Sequence, residues 1–290
     1  MELSLLLSQL FNGVSLGLLY VLMATGLTII MGTMGVVNFS HGILFTFGAY
    51  FAYSIAGKFG FWAAVALSPL VVGLVGMVIE AGLVRRVYGK DPLYGLLLTF
   101  GLAMSLEELV RIGWGTTGLP FSPPDFLNTF ADLKITFYPL YRLAVFGFIL
   151  LLILALWFFL ERTTLGKIVR AGIQDSLMVG ILGVNTKMLF TLVFGLGAFL
   201  AGLAGALSAP MFGIMPTMGD NVIMPSFIVI ILGGVGSFHG SVVGGLMLGV
   251  IVAMCIQFVP AIAELSMYLV MALVLLLRPR GRFGEEGLFE

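Results

Sequence analysis

Residues 161–187 read ERTTLGKIVRAGIQDSLMVGILGVNTK, between two long apolar runs at 140–160 and 188–209. Leu165, Ile168, Val169 and Ile173 recur at helical spacing, and Leu177, Met178, Ile181 and Leu182 do so again. The spacing predicts two short helices. Asp175 or Ser176 stands between them, and either can accept backbone N–H bonds at the start of the second. Gly183 is placed to end that helix in a left-handed conformation. Arg162, Lys167, Arg170 and Lys187 make the stretch basic. A folded basic hairpin in so apolar a chain predicts that something docks on it. The competing reading is an amphipathic helix lying on the inner leaflet, drawn there by anionic lipid.

The runs around the hairpin decide the fold class. Of 290 residues, 60% are hydrophobic and only 10% are charged, with mean hydropathy +1.15. A soluble domain carries about 25% charged residues, so the solvent for most of this chain is lipid. Apolar runs near the roughly 20 residues that cross a bilayer recur throughout. They lie at 5–30, 36–56, 61–84, 93–113, 140–160, 188–209, 222–237, 241–259 and 261–278. Backbone groups in lipid must bond within their own segment. An all-α polytopic membrane protein of about eight to ten transmembrane helices is therefore expected. The alternating short strands of a barrel are missing from the pattern. Zero formal net charge leaves no electrostatic case for nucleic acid. Cys255, alone and in an apolar run, argues against disulfides and thiol metal sites. The N-terminal MELSLLLSQL lacks a basic n-region and reads as the start of a span, not a cleavable signal.

Loop charge sets an expected orientation. Arg85, Arg86 and Lys90 share one loop, the hairpin cations a second, and Arg278, Arg280 and Arg282 lie near the C-terminal end. The positive-inside bias places all three in the cytoplasm, so 161–187 is a cytoplasmic loop and 278–290 a cytoplasmic tail. The nine spans are consistent in parity, with the N-terminus outside, and 36–56 and 222–237 are the two that could dip instead of crossing. The Pro-rich segment 114–139 is then an extracytoplasmic loop long enough to dock a partner. Asp91 and Pro92 read as the cap and first residue of the span that follows. Small residues spaced four apart (Gly13 and Gly17; Ala198, Gly202 and Ala206; Ala201 and Gly205; Gly245 and Gly249) predict close helix packing.

Two further stretches resemble each other. Residues 31–42 read MGTMGVVNFSHG and residues 233–240 read GGVGSFHG. Clustered glycines weaken a helix by about 1 kcal/mol each, and Asn38, Ser40 and Ser237 can cap the helix that resumes. Paired interruptions in two halves of a membrane protein point to two broken helices in inverted repeats flanking a central path. Tight turns between helices are the plain alternative. His41 and His239 have no Cys, Asp or Glu at ligand spacing, so no metal site is expected. Charges within spans need partners. Glu107 and Arg111 can pair four residues apart, Glu80 can reach Arg85 or Arg86, and Glu264 reads as a helix-start residue.

GLLYVLMATGLTIIMGTMGVVNFSHG (17–42) resembles the N-terminal signature of ABC-importer permeases for branched-chain amino acids, in particular the H-type subunit. VIILGGVGSFHGSVVGGLMLG (229–249) looks like the second signature, and GKIVRAGIQDSLMVGILGVNT (166–186) like the cytoplasmic coupling loop. The resemblance spans essentially the full length. It implies one permease domain over 1–290 of type II ABC importer-like fold, in a bacterial or archaeal plasma membrane. It implies two ABC ATPase subunits, a second related M-type permease or a second copy, and an extracytoplasmic solute-binding protein as partners. No cofactor is implied. Carried over residue by residue, Arg170, Ala171, Asp175, Gly180, Gly183 and Asn185 match the coupling loop, and Leu177 and Ile181 lie on its apolar face. Gly35, Asn38, Ser40, His41 and Gly42 match the first signature, with Gly236, Ser237 and His239 as their counterparts along the path. The family commonly has Ala where Ser40 and Gly180 stand, and Glu107, Glu108 and Arg111 put unusual charge in one span.

The expected activity is gated import of leucine, isoleucine or valine, energised by separate ATPases. Urea or short-chain amides are the alternative cargo. No G-x-x-x-x-G-K-[ST] pattern occurs, so the chain is not expected to hydrolyse ATP. An intramembrane enzyme using His41, His239 and Glu80 or Glu107 lacks a nucleophile elbow and paired carboxylates. A stand-alone channel or ion-coupled carrier would not need the basic hairpin.

Overall fold

The computed structural model describes residues 2–132, 134 and 137–277; the basic tail 278–290 lies outside them. Eleven α-helices occur among the described residues: α1 (Glu2–Met34), α2 (His41–Phe59), α3 (Phe61–Gly82), α4 (Pro92–Trp114), α5 (Leu140–Arg162), α6 (Thr164–Gln174), α7 (Ser176–Ile181), α8 (Thr186–Phe212), α9 (Asp220–Gly233), α10 (Phe238–Phe258) and α11 (Ala263–Leu277). Seven helical segments are long and apolar enough to cross a membrane: those built on α1, α3, α4, α5, α8, α10 and α11. Their bounds follow the apolar runs, and the caps expected at Asp91, Asp175 and Ser237 form where sequence placed them. Asp91 Oδ1 accepts from the Leu93 N–H at 2.9 Å behind Pro92.

Small residues decide which helices touch. α1 packs antiparallel to α10, and a Cβ on Gly249 would stand 2.3 Å from the Gly17 Cα. Gly13 meets Gly249 and Val250 one turn away. α8 presses on α2 in the same manner: a Cβ on Gly205 would stand 1.9 Å from the Phe45 carbonyl oxygen. On its other side α8 meets α3 through Gly195, Ala198 and Gly202, against Met77, Gly76 and Val72. Such contact is what holds helices together in lipid, where hydrophobic transfer no longer drives association. Thr28 and Ser241 add a buried hydroxyl bond of 2.8 Å between α1 and α10. The core is thus α1, α2, α3, α8 and α10. The apolar stretch of α1 is 83% buried, against 17% for α4 and 6% for α11, so the last two are peripheral.

The molecule has two ends. One, the basic end, carries Arg85, Arg86, Lys90 and the α6–α7 hairpin. At the other, the short strands β1 (Phe130–Asp132) and β2 (Phe137–Pro139) pair antiparallel, and Leu119 pairs with Ile214 through backbone bonds of 2.9 and 3.1 Å.

The helix discontinuities differ from expectation at one of two places. The first is where the sequence put it: α1 stops at Met34, Gly35 takes φ +64°, and α2 starts at His41. The span expected at 36–56 therefore begins only at His41. The second stretch, 233–240, is a tight turn closing α9 against α10, with Gly234 and Gly236 at φ +94° and +82°. The true counterpart of the first break is 213–219. There Gly213 turns at φ +76° and the chain runs non-helically until α9 begins at Asp220. α9 has only 14 residues, too few to cross a bilayer alone. The starts of α2 and α9 meet inside the bundle: a Cβ on Gly219 would lie 2.2 Å from the Gly42 carbonyl oxygen. The chain reaches that point from the basic end through 35–40 and from the opposite end through 213–219. Two short helices thus start from one point and leave it in opposite directions.

Candidate functional site

The hairpin at the basic end is rigidly capped. Thr163 Oγ1 accepts from the Gly166 N–H at 3.0 Å and opens α6. Asp175 Oδ1 accepts from the Leu177 and Met178 N–H groups at 3.0 and 2.9 Å and opens α7. Gly183, at φ +90°, lets the chain turn so that the Val184 N–H reaches the Val179 carbonyl. Asn185 Oδ1 accepts from the Met188 N–H at 3.1 Å and opens α8. α6 is anchored by its small and apolar residues: Gly166 sits against the Phe159–Leu160 backbone, Val169 is buried, and Gly172 faces Leu189 and Thr33.

α7 is held without being covered. Only Val179 is buried, whereas Leu177, Met178, Ile181 and Leu182 are 72%, 50%, 69% and 77% exposed. Ala171, Asp175, Gly180, Gly183 and Asn185 are exposed around them. Arg170 is half-buried and paired with Glu161 at 2.7 Å. The residues predicted for coupling are thus exposed apart from half-buried Arg170, with Leu177 and Ile181 as the large apolar side chains among them.

A buried carboxylate ties this surface to the bundle. Glu80, near the end of α3, is fully shielded from solvent. Its Oε1 accepts from Arg85 Nε at 3.1 Å and the Tyr88 hydroxyl at 3.0 Å; its Oε2 accepts from Arg85 Nη2 at 2.8 Å and the Thr191 hydroxyl at 2.7 Å. Burial and the Glu80 charge push the Tyr88 phenol well above its usual range, so it stays protonated as a donor. Arg85 also reaches the Lys187 carbonyl at 3.3 Å. The pairing of Glu80 with Arg85 was readable from spacing. Thr191 was not, because it lies on another helix, and Tyr88 carries no charge to mark it as a partner.

The first break is tightly enclosed. Asn38, Ser40 and His41 are all 0% exposed. Ser40 donates to Asn38 Oδ1 at 2.6 Å and makes no side-chain cap, contrary to expectation. Asn38 likewise caps nothing through its side chain, because Ser40 occupies its oxygen. His41 Nε2 lies 3.2 Å from the Met23 carbonyl oxygen. Thr99 of α4, unmarked in the sequence, holds the extended chain: its Oγ1 accepts from the Phe39 N–H at 3.2 Å and lies 3.1 Å from the Val37 carbonyl oxygen. Gly35 is exposed toward the basic end and Gly42 is buried at the α9 contact.

Gly236, Ser237 and His239 do not join these residues. Ser237 caps α10 as expected, accepting from the Gly240 N–H at 3.0 Å. However, Gly236 packs on Gly32, and His239 is exposed at the basic end beside Lys167 and Arg170. Charge collects instead at the exposed side of α4 and the start of α9. Glu107 and Arg111 of α4 form an ion pair, Glu108 lies 3.8 Å from Arg111, and Asp220, the first residue of α9, interacts electrostatically with the pair. Asp220 was missed although an acidic residue opening an apolar run is a helix-start signal.

This arrangement places an enclosed helix discontinuity inside a bundle with an uncovered, capped hairpin at one end. Residues 9–277 match the family described as the permease component of branched-chain amino acid transport systems. The high-affinity branched-chain amino acid transport system permease protein LivH of Salmonella typhimurium is 29% identical, with 96% of each chain covered. BraD of Pseudomonas aeruginosa, of the same description, is 30% identical over 96% of each. The ribose import permease protein RbsC of Escherichia coli is 24% identical over 84% of this chain and 76% of that one. Among solved structures, PsaBC from Streptococcus pneumoniae in complex with Fab aligns over 93% of this chain and 89% of that one, at TM-score 0.47 and 14% identity. With the match running through nearly every helix, the chain belongs to the family of permease components of branched-chain amino acid transport systems.

Proposed function

We propose that this chain is the membrane-spanning permease of an ATP-driven importer of branched-chain amino acids in the plasma membrane, with ATP hydrolysed on separate subunits. The uncovered apolar face of α7 carries the reading: four large apolar side chains stand exposed on a helix capped at both ends. A helix-in-groove contact needs such anchors, and a neighbouring ATPase subunit with an apolar groove fits them. Arg170, Ala171, Asp175, Gly180, Gly183 and Asn185 frame the contact. Motion there passes through Lys187 and Thr191 into α8, and from α8 into α2 and α3. The enclosed Gly35–Gly42 segment serves as the gate hinge. The point where α2 and α9 start, with Asp220, Glu107 and Arg111 nearby, lies on the path of a zwitterionic cargo. The basic end faces the cytoplasm, and 114–139 faces the solute-binding protein. A second permease, related or identical, completes the pathway.

The test is reconstitution with the cognate ATPases and binding protein in proteoliposomes. Leu177→Asp with Ile181→Asp changes only exposed side chains, so the chain should fold and insert normally. ATPase retention on the permease and ATP-dependent leucine uptake should both fall at least roughly tenfold, as loss of two central apolar anchors implies. Undiminished uptake by the double variant would refute the coupling role. Uptake of urea or ribose in preference to leucine by the unaltered complex would refute the cargo.

A further inference from the structure

We propose that the cavity between α5, α6 and the α9–α10 turn binds the phosphodiester headgroup of an anionic phospholipid. The cavity measures about 380 Å³ and is lined by Trp157, Glu161, Lys167, Arg170 and His239. Arg162 stands at its mouth with the same Trp157, Lys167 and His239. Three cations face one carboxylate there. Glu161 is taken by Arg170 Nη1 at 2.7 Å, and Arg162 and Lys167 make no ion pair with a described residue. The Arg170 side chain is 43% exposed at the cavity, so part of its guanidinium stays accessible beside the ion pair. A partly paired guanidinium beside two unpaired cations is a donor set suited to phosphate oxygens, which accept charge-assisted bonds from several directions.

The walls say why the anion would come on a lipid. Leu150, Leu154 and Trp157 lie at i, i+4 and i+7 on the outer face of α5, at 45%, 58% and 37% exposure. This apolar stripe runs down to Glu161 and the cavity mouth. Acyl chains laid along the stripe would leave a headgroup at the cations, with Trp157 at the boundary where its amphipathic ring is favoured. Basic pockets between helices at a membrane surface are the arrangement that holds anionic headgroups. A free anion would use the cations and gain nothing from the stripe. The site stands whether or not α7 couples to an ATPase.

The experiment is native mass spectrometry of the purified chain with dioleoyl phosphatidylglycerol against dioleoyl phosphatidylcholine, which share their acyl chains. Phosphatidylglycerol should be retained roughly tenfold more, as two unpaired cations at an anionic group imply. Arg162→Gln with Lys167→Gln should bring the preference close to one. Arg86→Gln with Lys90→Gln, in the other basic loop, should leave it unchanged. Equal retention of the two lipids by the unaltered chain would overturn the proposal, as would an equal loss from both variant pairs. A competition arm needs no variant: inorganic phosphate should fail to displace the lipid at equal concentration, and efficient displacement would make this a site for soluble anions instead.

Discussion

Glu80 is a charge that water does not reach, in a chain with few charges to place. Its four donors explain why it is tolerated, because a buried carboxylate costs several kcal/mol unless it is paired and fully hydrogen-bonded. Arg85 is 31% exposed on its side chain, so its half of the pair is screened and the net worth of the bridge is smaller than burial alone suggests. The damage from removing one partner is larger than that net worth. Glu80→Ala takes the shared acceptor from Arg85 and Tyr88, leaves Thr191 only the Lys187 carbonyl to donate to, and should destabilise the protein by about 2–3 kcal/mol. Arg85→Ala alone strands a carboxylate that cannot reach water. Glu80→Leu with Arg85→Leu removes both charges and should recover much of the loss. Thermal unfolding in detergent distinguishes these cases. A double variant no better than Glu80→Ala would show that the ion pair is not what the network is for.

At the scale of the element, α7 is the clearest case of local sequence dictating local structure. Asp175 caps two N–H groups of a helix only six residues long, and Gly183 ends the motif. Asp175→Ala should cost about 1 kcal/mol of local stability. Amides of residues 177–180 should then exchange roughly fivefold faster with deuterium, while those of the α8 interior stay unchanged. Unaltered exchange at 177–180 would mean that contacts with α6 and α8, not the cap, hold α7 in place. Most caps and the small-residue seams were legible in the sequence because each depends on residues within a turn or two, whereas Ser40 and Asn38, read as caps, bond to each other. Gly13 and Gly17 pack closely as their spacing suggested, and the structure shows their partners to be Gly245 and Gly249. The second discontinuity was not legible. GGVGSFHG copies the residues of the first break, yet it forms a turn at the basic end, because glycine and a capping serine specify a chain reversal and not its depth. Residues 213–219 read as an ordinary connection. Their place in the bundle comes from Gly219 seated on Gly42 and Ile214 paired with Leu119, contacts between parts of the chain far apart in sequence.

At the scale of the molecule, the unequal burial of the long helices says which surfaces meet lipid. α5 exposes Leu150, Leu151, Leu154 and Phe158, an unbroken apolar face that lipid satisfies. α4 is as uncovered, yet its exposed face mixes Leu97, Met104 and Ile112 with Glu108, whose side chain is 66% exposed. Arg111 pairs chiefly with Glu107, so Glu108 is left with a 3.8 Å contact that solvent or a partner must supplement. Glu108 lies in the last two turns of α4, and a carboxylate set against hydrocarbon there would need water or a partner. The end of the α4 face that carries Glu108 therefore looks onto water or onto another protein. Cysteine reactivity separates the two kinds of surface, starting from a Cys255→Ala background. Glu108→Cys should react with a membrane-impermeant maleimide at a rate near that of Asn128→Cys in the 114–139 loop, whereas Leu154→Cys on α5 should be silent. Adding the second permease should slow Glu108→Cys while leaving Asn128→Cys unchanged. If Glu108→Cys proves as silent as Leu154→Cys in the isolated chain, α4 faces lipid and the pathway must run elsewhere.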